Sequence, residues 1–260
     1  MKYETLDVSK ENDVATVMLN RPHVHNAMNE ILCKELIHCF QQLANDASVR
    51  VIILTGSGSS FCAGADLNWM KGMIRYSQEG NRRESNLILE MYQTIFSSPK
   101  PVIGKINGNA FGGGVGLIAV CDITIAAPGA QFAFSEVKLG IIPSIVSTFV
   151  SYRLTRADMR RLFLTGERFD TMYAHEIGLV DFIVPSEELD KKVEYYVNQI
   201  RSSGPQAILE VKTLMQKFSE MKLDDYKSFT VDKIAELRVS EEGQEGISAF
   251  LEKRKPRWSD

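Results

Sequence analysis

The chain has no apolar run approaching the roughly 18 residues that a membrane span requires, so no membrane association is expected. It also lacks a basic excess: 30 Lys and Arg face 33 Asp and Glu, for a formal net charge of -3. A surface that tracks phosphates needs several cations, so nucleic acid is not the expected partner. Cysteine is scarce, and Cys33, Cys39, Cys62 and Cys121 form no CxxC pair. All four sit in or beside apolar segments, which suits reduced, buried thiols rather than a metal cluster or a disulfide framework. The four histidines (His23, His25, His38, His175) are scattered without ligand spacing, and no metal is expected. Ser144 and Ser147 have no obvious histidine partner, which disfavours a serine nucleophile. The first residues alternate in charge and contain no apolar signal core, so a cytoplasmic protein is expected. No internal repeat or low-complexity linker divides the 260 residues, enough for one large domain with a helical extension.

What is present is an alternation of strands and helices. Val14 to Leu19 reads as a β-strand that stops at Asn20-Arg21-Pro22. Asn29 caps a helical pattern carried by Leu32, Leu36, Phe40 and Leu43. Val49 to Thr55 and Pro101 to Ile106 read as apolar strands, as do Ile123 to Ala126, Gln131 to Phe134 and Gly178 to Val184. The polar stretch from Lys71 to Arg83 reads as a mobile segment leading into a helix from about Asn86 to Phe96. Such alternation predicts an α/β domain with largely buried strands. After Gly204-Pro205 the pattern is helical: Ala207 to Phe218, Lys227 to Arg238 and a last helix from Gly246 to about Lys253. These helices need the core, another subunit, or both to cover their apolar faces.

Two glycine-bearing segments carry the chemistry. Asn109 to Asp122 contains Gly112-Gly113-Gly114 at the start of a segment that reads as a buried helix, and Phe61 to Asp66 contains Ala63-Gly64-Ala65. Unpaired amides at such positions can converge on an oxygen that becomes negative during a reaction. The two segments together suggest an oxyanion hole of two backbone amides. Glu136, after the apolar run Gln131 to Ser135, is the leading proton-transfer candidate, because burial would raise its pKa. The competing reading pairs it with Lys138 or Arg161 at the surface. Asp66 and Asp122 read as structural, around a turn and a helix-to-strand junction. Gly114-Val-Gly116-Leu-Ile-Ala119 also matches GxGxxA, with Glu136 20 residues after Gly116. Dinucleotide sites usually place this pattern in the first βα unit, whereas here it comes late and leaves room for a helix of only about two turns.

Several ordered blocks resemble the crotonase (enoyl-CoA hydratase/isomerase) superfamily. They are Leu19-Asn20-Arg21-Pro22 with Asn26-Ala27, Phe61 to Asp66, Asn107 to Asp122, Gln131 to Pro143, Ala174 to Val180 and Glu245 to Lys255. The resemblance implies an α/β fold of repeated ββα units over residues 1–200 that carries the active site, and a C-terminal helical trimerisation region over 201–260. It implies an acyl-coenzyme A thioester as substrate, with coenzyme A entering as part of that substrate and no separate cofactor. Ala65 and Gly113 would donate to the thioester oxygen, and Glu136 falls on a catalytic glutamate. Ala27, Ala63, Asp66, Leu67 and Gly112 fall in substrate-binding segments. Phe250 and Lys253 fall where a C-terminal helix touches coenzyme A, often from a neighbouring subunit. A homotrimer or a dimer of trimers is implied.

One position departs from the pattern. Simple hydratases of the superfamily carry a second glutamate where this chain has Gly116. Ser144 likewise replaces the nucleophilic aspartate of a related dehalogenase. The first helix, Asn29 to Ala44, has only Lys34, so the RNA-binding role of some members is unsupported. The segments Gly112 to Leu117, Ala65 to Met70 and Ile141-Ile142-Pro143 look most like the methylglutaconyl-CoA hydratase branch. A lyase acting on a branched or carboxylated enoyl-CoA is the leading expectation. An enoyl-CoA isomerase shuttling a proton on Glu136 is the alternative, with a non-catalytic acyl-CoA binder and an oxidoreductase behind it.

Overall fold

The computed structural model describes residues 2–259. The chain opens with a hairpin, β1 (Leu6–Glu11) and β2 (Val14–Leu19), turned at Asn12, which takes a left-handed φ of 55°. Helix α1 (Glu30–Asn45) is capped by Asn29, whose side chain accepts from the Leu32 amide at 2.9 Å. Three strand pairs follow: β3 (Val51–Gly56) with β4 (Ser60–Cys62), β5 (Val102–Ile106) with β6 (Asn109–Phe111), and β7 (Ile123–Ala126) with β8 (Gln131–Ala133). Helices α2 (Leu67–Met73) and α3 (Gln78–Phe96) follow the first pair, and α4 (Gly113–Ala119) follows the second. A single 3₁₀ segment, Ser135–Leu139, follows the third.

The first strand of each pair enters one sheet and the second enters another. The orders are β1-β2-β3-β5-β7-β10 and β4-β6-β8-β9, where β9 is Phe169–Asp170 and β10 is Phe182–Ile183. All neighbours run parallel except β1 with β2 and β8 with β9. This is the repeated ββα arrangement expected from the sequence. β3 is buried on both faces because apolar layers cover both. Ile52 and Leu54 enter the main core with Leu36, Phe40, Val102 and Ile106, while Val51 joins Ile103 and Ile125 on the opposite side. That second layer is closed by Leu189, Val193 and Val197 of α8 (Leu189–Arg201). Helices α5 (Ser144–Val150), α6 (Arg156–Thr165) and α7 (Thr171–Glu176) complete the core.

Two local expectations are corrected. Lys71 to Arg83 is mostly helical: α2 runs to Met73, and Ser77 caps α3 by accepting from the Gly80 amide at 3.1 Å. Gly178 to Val184 is mostly a turn. Gly178 has φ 81°, and the Leu179 and Val180 amides fold back onto the Ala174 carbonyl at 2.9 and 3.1 Å, leaving two residues to pair with β7.

The last three helices, α9 (Pro205–Glu220), α10 (Leu223–Val239) and α11 (Glu241–Leu251), bury little of themselves; α9 and α10 contain no fully buried residue. Polar ties attach this region to the core. Lys212 bonds Asp122 at 2.6 Å, and Asp122 also accepts from the Val102 amide at 2.7 Å. Arg50 donates to the carbonyls of Arg201, Ser203 and Trp258. Within the region itself, the buried Glu245 accepts from both terminal guanidinium nitrogens of Arg254 at 2.7 and 3.0 Å. Among the described residues no helix is long and apolar enough to cross a membrane.

Candidate active site

The two glycine-bearing segments meet because β4 and β6 pair in parallel, Ser60 opposite Asn109 and Cys62 opposite Ala110. Each strand leaves the sheet through a glycine with positive φ: Gly64 at 89°, and Gly112 at φ 48° and ψ -118°. A Cβ on Gly64 would lie 2.7 Å from the Phe111 carbonyl oxygen and 3.8 Å from the Gly113 nitrogen. The segments therefore touch backbone to backbone. Met28 donates to the Gly64 carbonyl and accepts from the Asp66 amide, both at 2.7 Å, in a parallel bridge about Ala65. This pattern directs the Ala65 amide away from Met28. Gly113 is the first residue of α4, so its amide has no acceptor within the helix. The preceding amide, of Gly112, is taken by the Ala133 carbonyl at 2.8 Å.

A polar frame fixes this junction. Asn26 is fully buried at φ 57°, accepts from the Arg21 amide at 2.9 Å and donates to the Ser57 and Ser60 carbonyls, both at 2.8 Å. Arg21 donates to the Ala27 carbonyl and to Asp66, the latter at 2.9 Å. The Ala63 amide donates to the His25 carbonyl at 3.0 Å. Asp66 caps α2 through the Asn68 amide at 2.8 Å. Burial pushes the Asp66 carboxyl upward, but the Asn68 and Trp69 amides and the Arg21 guanidinium outweigh burial and hold it below its ordinary value. Leu67, the first residue of α2, is 74% exposed beside this frame.

Glu136 comes from the 3₁₀ segment after β8, and its Oε1 lies 3.3 Å from the place a Gly112 Cβ would take. Its Oε2 is buried without a hydrogen-bond partner. The competing surface pairing is not formed: among the described residues neither Lys138 nor Arg161 makes an ion pair with Glu136, and Arg161 pairs with Glu167. Burial raises the Glu136 carboxyl above its ordinary value. An unpaired carboxylate at the opening of α4 can exchange a proton with a ligand there. Among the described residues no group of three or more His, Cys, Asp and Glu side chains is arranged to hold a metal ion.

Ala27, Ala63, Ala65, Asp66, Gly112, Gly113 and Glu136 thus converge. Phe250 and Lys253 do not join them within one chain. Phe250 is 82% exposed at the end of α11. Lys253 lines an open cleft of about 1040 Å³ with Arg50, Arg201, Arg254 and Trp258.

A model of the enoyl-CoA hydratase/isomerase family matches residues 9–260. The chain belongs to that family. The short-chain-enoyl-CoA hydratase of Clostridium acetobutylicum is 34% identical to it over 257 residues, spanning 98% of this chain and 97% of that protein. The 2,3-dehydroadipyl-CoA hydratase of Escherichia coli is 30% identical over 252 residues, spanning 96% and 97%. The crystal structure of an enoyl-CoA hydratase from Shewanella pealeana superposes with a TM-score of 0.95 at 35% identity, covering 99% of this chain and 97% of that one.

Within this enoyl-CoA hydratase/isomerase family member the GxGxxA pattern has a packing role. A Cβ on Gly114 would stand 2.1 Å from the Cys62 carbonyl oxygen, and one on Gly116 would stand 2.8 Å from Cζ and Oη of Tyr92. Gly114 and Gly116 are both buried. The pattern lets a seven-residue helix sit against β4 and α3, and a dinucleotide has no access to it. Tyr92, Arg21 and Asn26 were not legible as site residues. Arg21 and Asn26 lie inside the segment Leu19 to Ala27, and only the fold shows that their bonds reach Ala27, Asp66 and the strand end at Ser60. Tyr92 reads as an ordinary core position of α3.

Proposed function

We propose that this enzyme hydrates an enoyl-CoA thioester whose acyl group is branched or carboxylated. The reading is carried by the unpartnered Glu136 Oε2, buried at the point where the Ala65 and Gly113 segments meet. The Ala65 and Gly113 amides donate to the thioester oxygen and stabilise it as it becomes an enolate oxygen. Water adds to the β-carbon and gives up a proton to Glu136. The electron pair of the double bond shifts toward the thioester, and Glu136 returns a proton to the α-carbon. One carboxylate thus serves both proton transfers, and burial keeps its pKa nearer to neutrality than an exposed glutamate's.

Coenzyme A arrives with the substrate. Phe250 and Lys253 contact it from a neighbouring subunit of a homotrimer, alone or paired with a second trimer. The exposed apolar residues Val211, Met215, Phe218 and Val231 on α9 and α10 supply a surface suited to such assembly. The sequence of Ala65 to Met70, Gly112 to Leu117 and Ile141 to Pro143 supports a methylglutaconyl-CoA-like acyl group.

The second reading is an enoyl-CoA isomerase, favoured by one observation: position 116 carries no carboxylate, so a single base is present. Turnover of an enoyl-CoA panel in H₂¹⁸O separates the two. The expected result is an ¹⁸O-labelled hydroxyacyl-CoA from 3-methyl- or carboxyl-substituted substrates, with slow turnover of crotonyl-CoA. Isomerisation at constant mass across the panel, with no labelled product, overturns the hydratase reading.

A further inference from the structure

Gly116 leaves side-chain space beside the amide end of α4, and the fold fills it. The Cβ direction of residue 116 runs into the Tyr92 ring, with Cζ and Oη at 2.8 Å and Cε1 at 3.0 Å. Tyr92 arrives from α3, is fully buried and packs on Phe149 at 5.5 Å between ring centroids. Its hydroxyl donates to the Gly113 carbonyl at 2.6 Å and lies 4.0 Å from the Met28 sulfur. Met28 is the residue whose backbone bridges Ala65, and its Cε lies 2.1 Å from where a Gly113 Cβ would stand. Tyr92, Met28 and Gly113 therefore form one packed contact touching both amide-bearing segments.

We propose that Tyr92 adapts this site to a single carboxylate: its ring takes the side-chain space of position 116, and its hydroxyl holds the Gly113 carbonyl, so that it positions the amide end of α4. The proposal rests on the oxyanion reading of Ala65 and Gly113. Tyr92 is a positioning residue rather than a proton carrier. Its hydroxyl is committed to Gly113, is closed off from solvent, and is held by burial well above the ordinary tyrosine pKa. Gly112-Gly113-Gly114 has more backbone freedom to lose than any other tripeptide. A hydrogen bond from a ring fixed in the core restricts that freedom at the peptide next to the donor amide.

Tyr92→Phe keeps the ring and removes the bond. Its kcat is expected to fall about tenfold, the worth of one ordinary hydrogen bond, with KM within about twofold. The infrared carbonyl stretch of a bound ¹³C-thioester should shift toward its solution value, because the oxygen is less strongly polarised. Gly116→Ala tests the same contact without removing any group, since its methyl would push the ring off Gly113. It should lower kcat and shift the stretch in the same direction, and it carries the test if Tyr92→Phe does not fold. Unchanged kcat and stretch in a folded Tyr92→Phe, or in Gly116→Ala if that variant alone folds, overturn the proposal. A fall in melting temperature with kcat and stretch unchanged marks a packing role only and also overturns it. These differences are measured against the wild type whichever enoyl-CoA reaction it runs. Failure of the hydratase reading appears separately, as absent ¹⁸O in the wild-type product.

Discussion

Replacing Glu136 by glutamine tests the site at its centre, because the shape is kept and the proton-transfer function is removed. Loss of a general acid/base commonly costs about 10²–10⁴ in rate, which is about 2.7–5.4 kcal/mol of barrier at 1.36 kcal/mol per tenfold. Stability should move the opposite way. The wild-type carboxylate has a buried oxygen with no partner, and burial raises its pKa above the ordinary 4.5. A raised carboxyl pKa means that the folded state holds its proton longer than the unfolded chain. Its stabilising contribution is complete below pH 4.5 and is lost as pH rises through the folded-state value. Glu136→Gln removes that loss. Its melting temperature should exceed the wild type's at pH 8, and the advantage should vanish below pH 4.5. The assay pairs steady-state hydration kinetics with thermal unfolding at several pH values. Activity within a few-fold of wild type refutes the catalytic assignment. A variant less stable than wild type at pH 8 refutes the account of an unpaired, desolvated charge.

Three further changes probe the surrounding frame. Gly64→Ala would place a methyl 2.7 Å from the Phe111 carbonyl oxygen at φ 89°, so a loss of about 2–4 kcal/mol is expected from strain and overpacking, measured by urea unfolding. A stability near wild type would show that the two segments are not in backbone contact. Arg21→Leu leaves Asp66 without its nearly buried partner, where side-chain exposures are 13% and 8%, and should cost about 3 kcal/mol with a larger drop in kcat than rise in KM. Because the Asp66 carboxyl is held below its ordinary value, the stability it contributes is present above pH 3.8 and lost as pH falls through the folded-state value, so wild type and Arg21→Leu should converge in acid. Phe250→Ser should raise KM for the thioester and weaken self-association in sedimentation velocity. Unchanged KM and mass would show that this exposed ring serves neither coenzyme A nor assembly.

The parts of the fold set by short-range chemistry were legible in the sequence. Asn29 announces α1, and the apolar run from Val49 to Thr55 announces the buried strand that the structure places at Val51–Gly56. The three-residue strands β4 and β6 were harder, because their pairing is decided by each ββα repeat as a whole, whereas β8 was read as Gln131 to Phe134. Lys71 to Arg83 reads as mobile from its charges, yet Ser77 starts a helix there whose large buried side chains, Met91, Tyr92 and Ile95, lie further along the chain. Glu136 and the glycine segments stood out by residue type, and the fold brings them together. Tyr92 carried no local signal: it precedes Gly116 by 24 residues and matters through a volume that glycine leaves open.

The contact between Tyr92 and Gly116 also constrains the order in which this site can change. A glutamate introduced at 116 first would meet a ring atom at 2.8 Å in a closed core. Shrinking Tyr92 first opens a cavity instead, at about 3–5 kcal/mol for an aromatic cut back to alanine. That is a large share of the 5–15 kcal/mol by which a typical domain stays folded. Changing either position alone therefore passes through a less stable protein, by overpacking at 116 or by a cavity at 92. With tyrosine at 92 and glycine at 116, packing alone opposes the gain of a larger side chain at position 116.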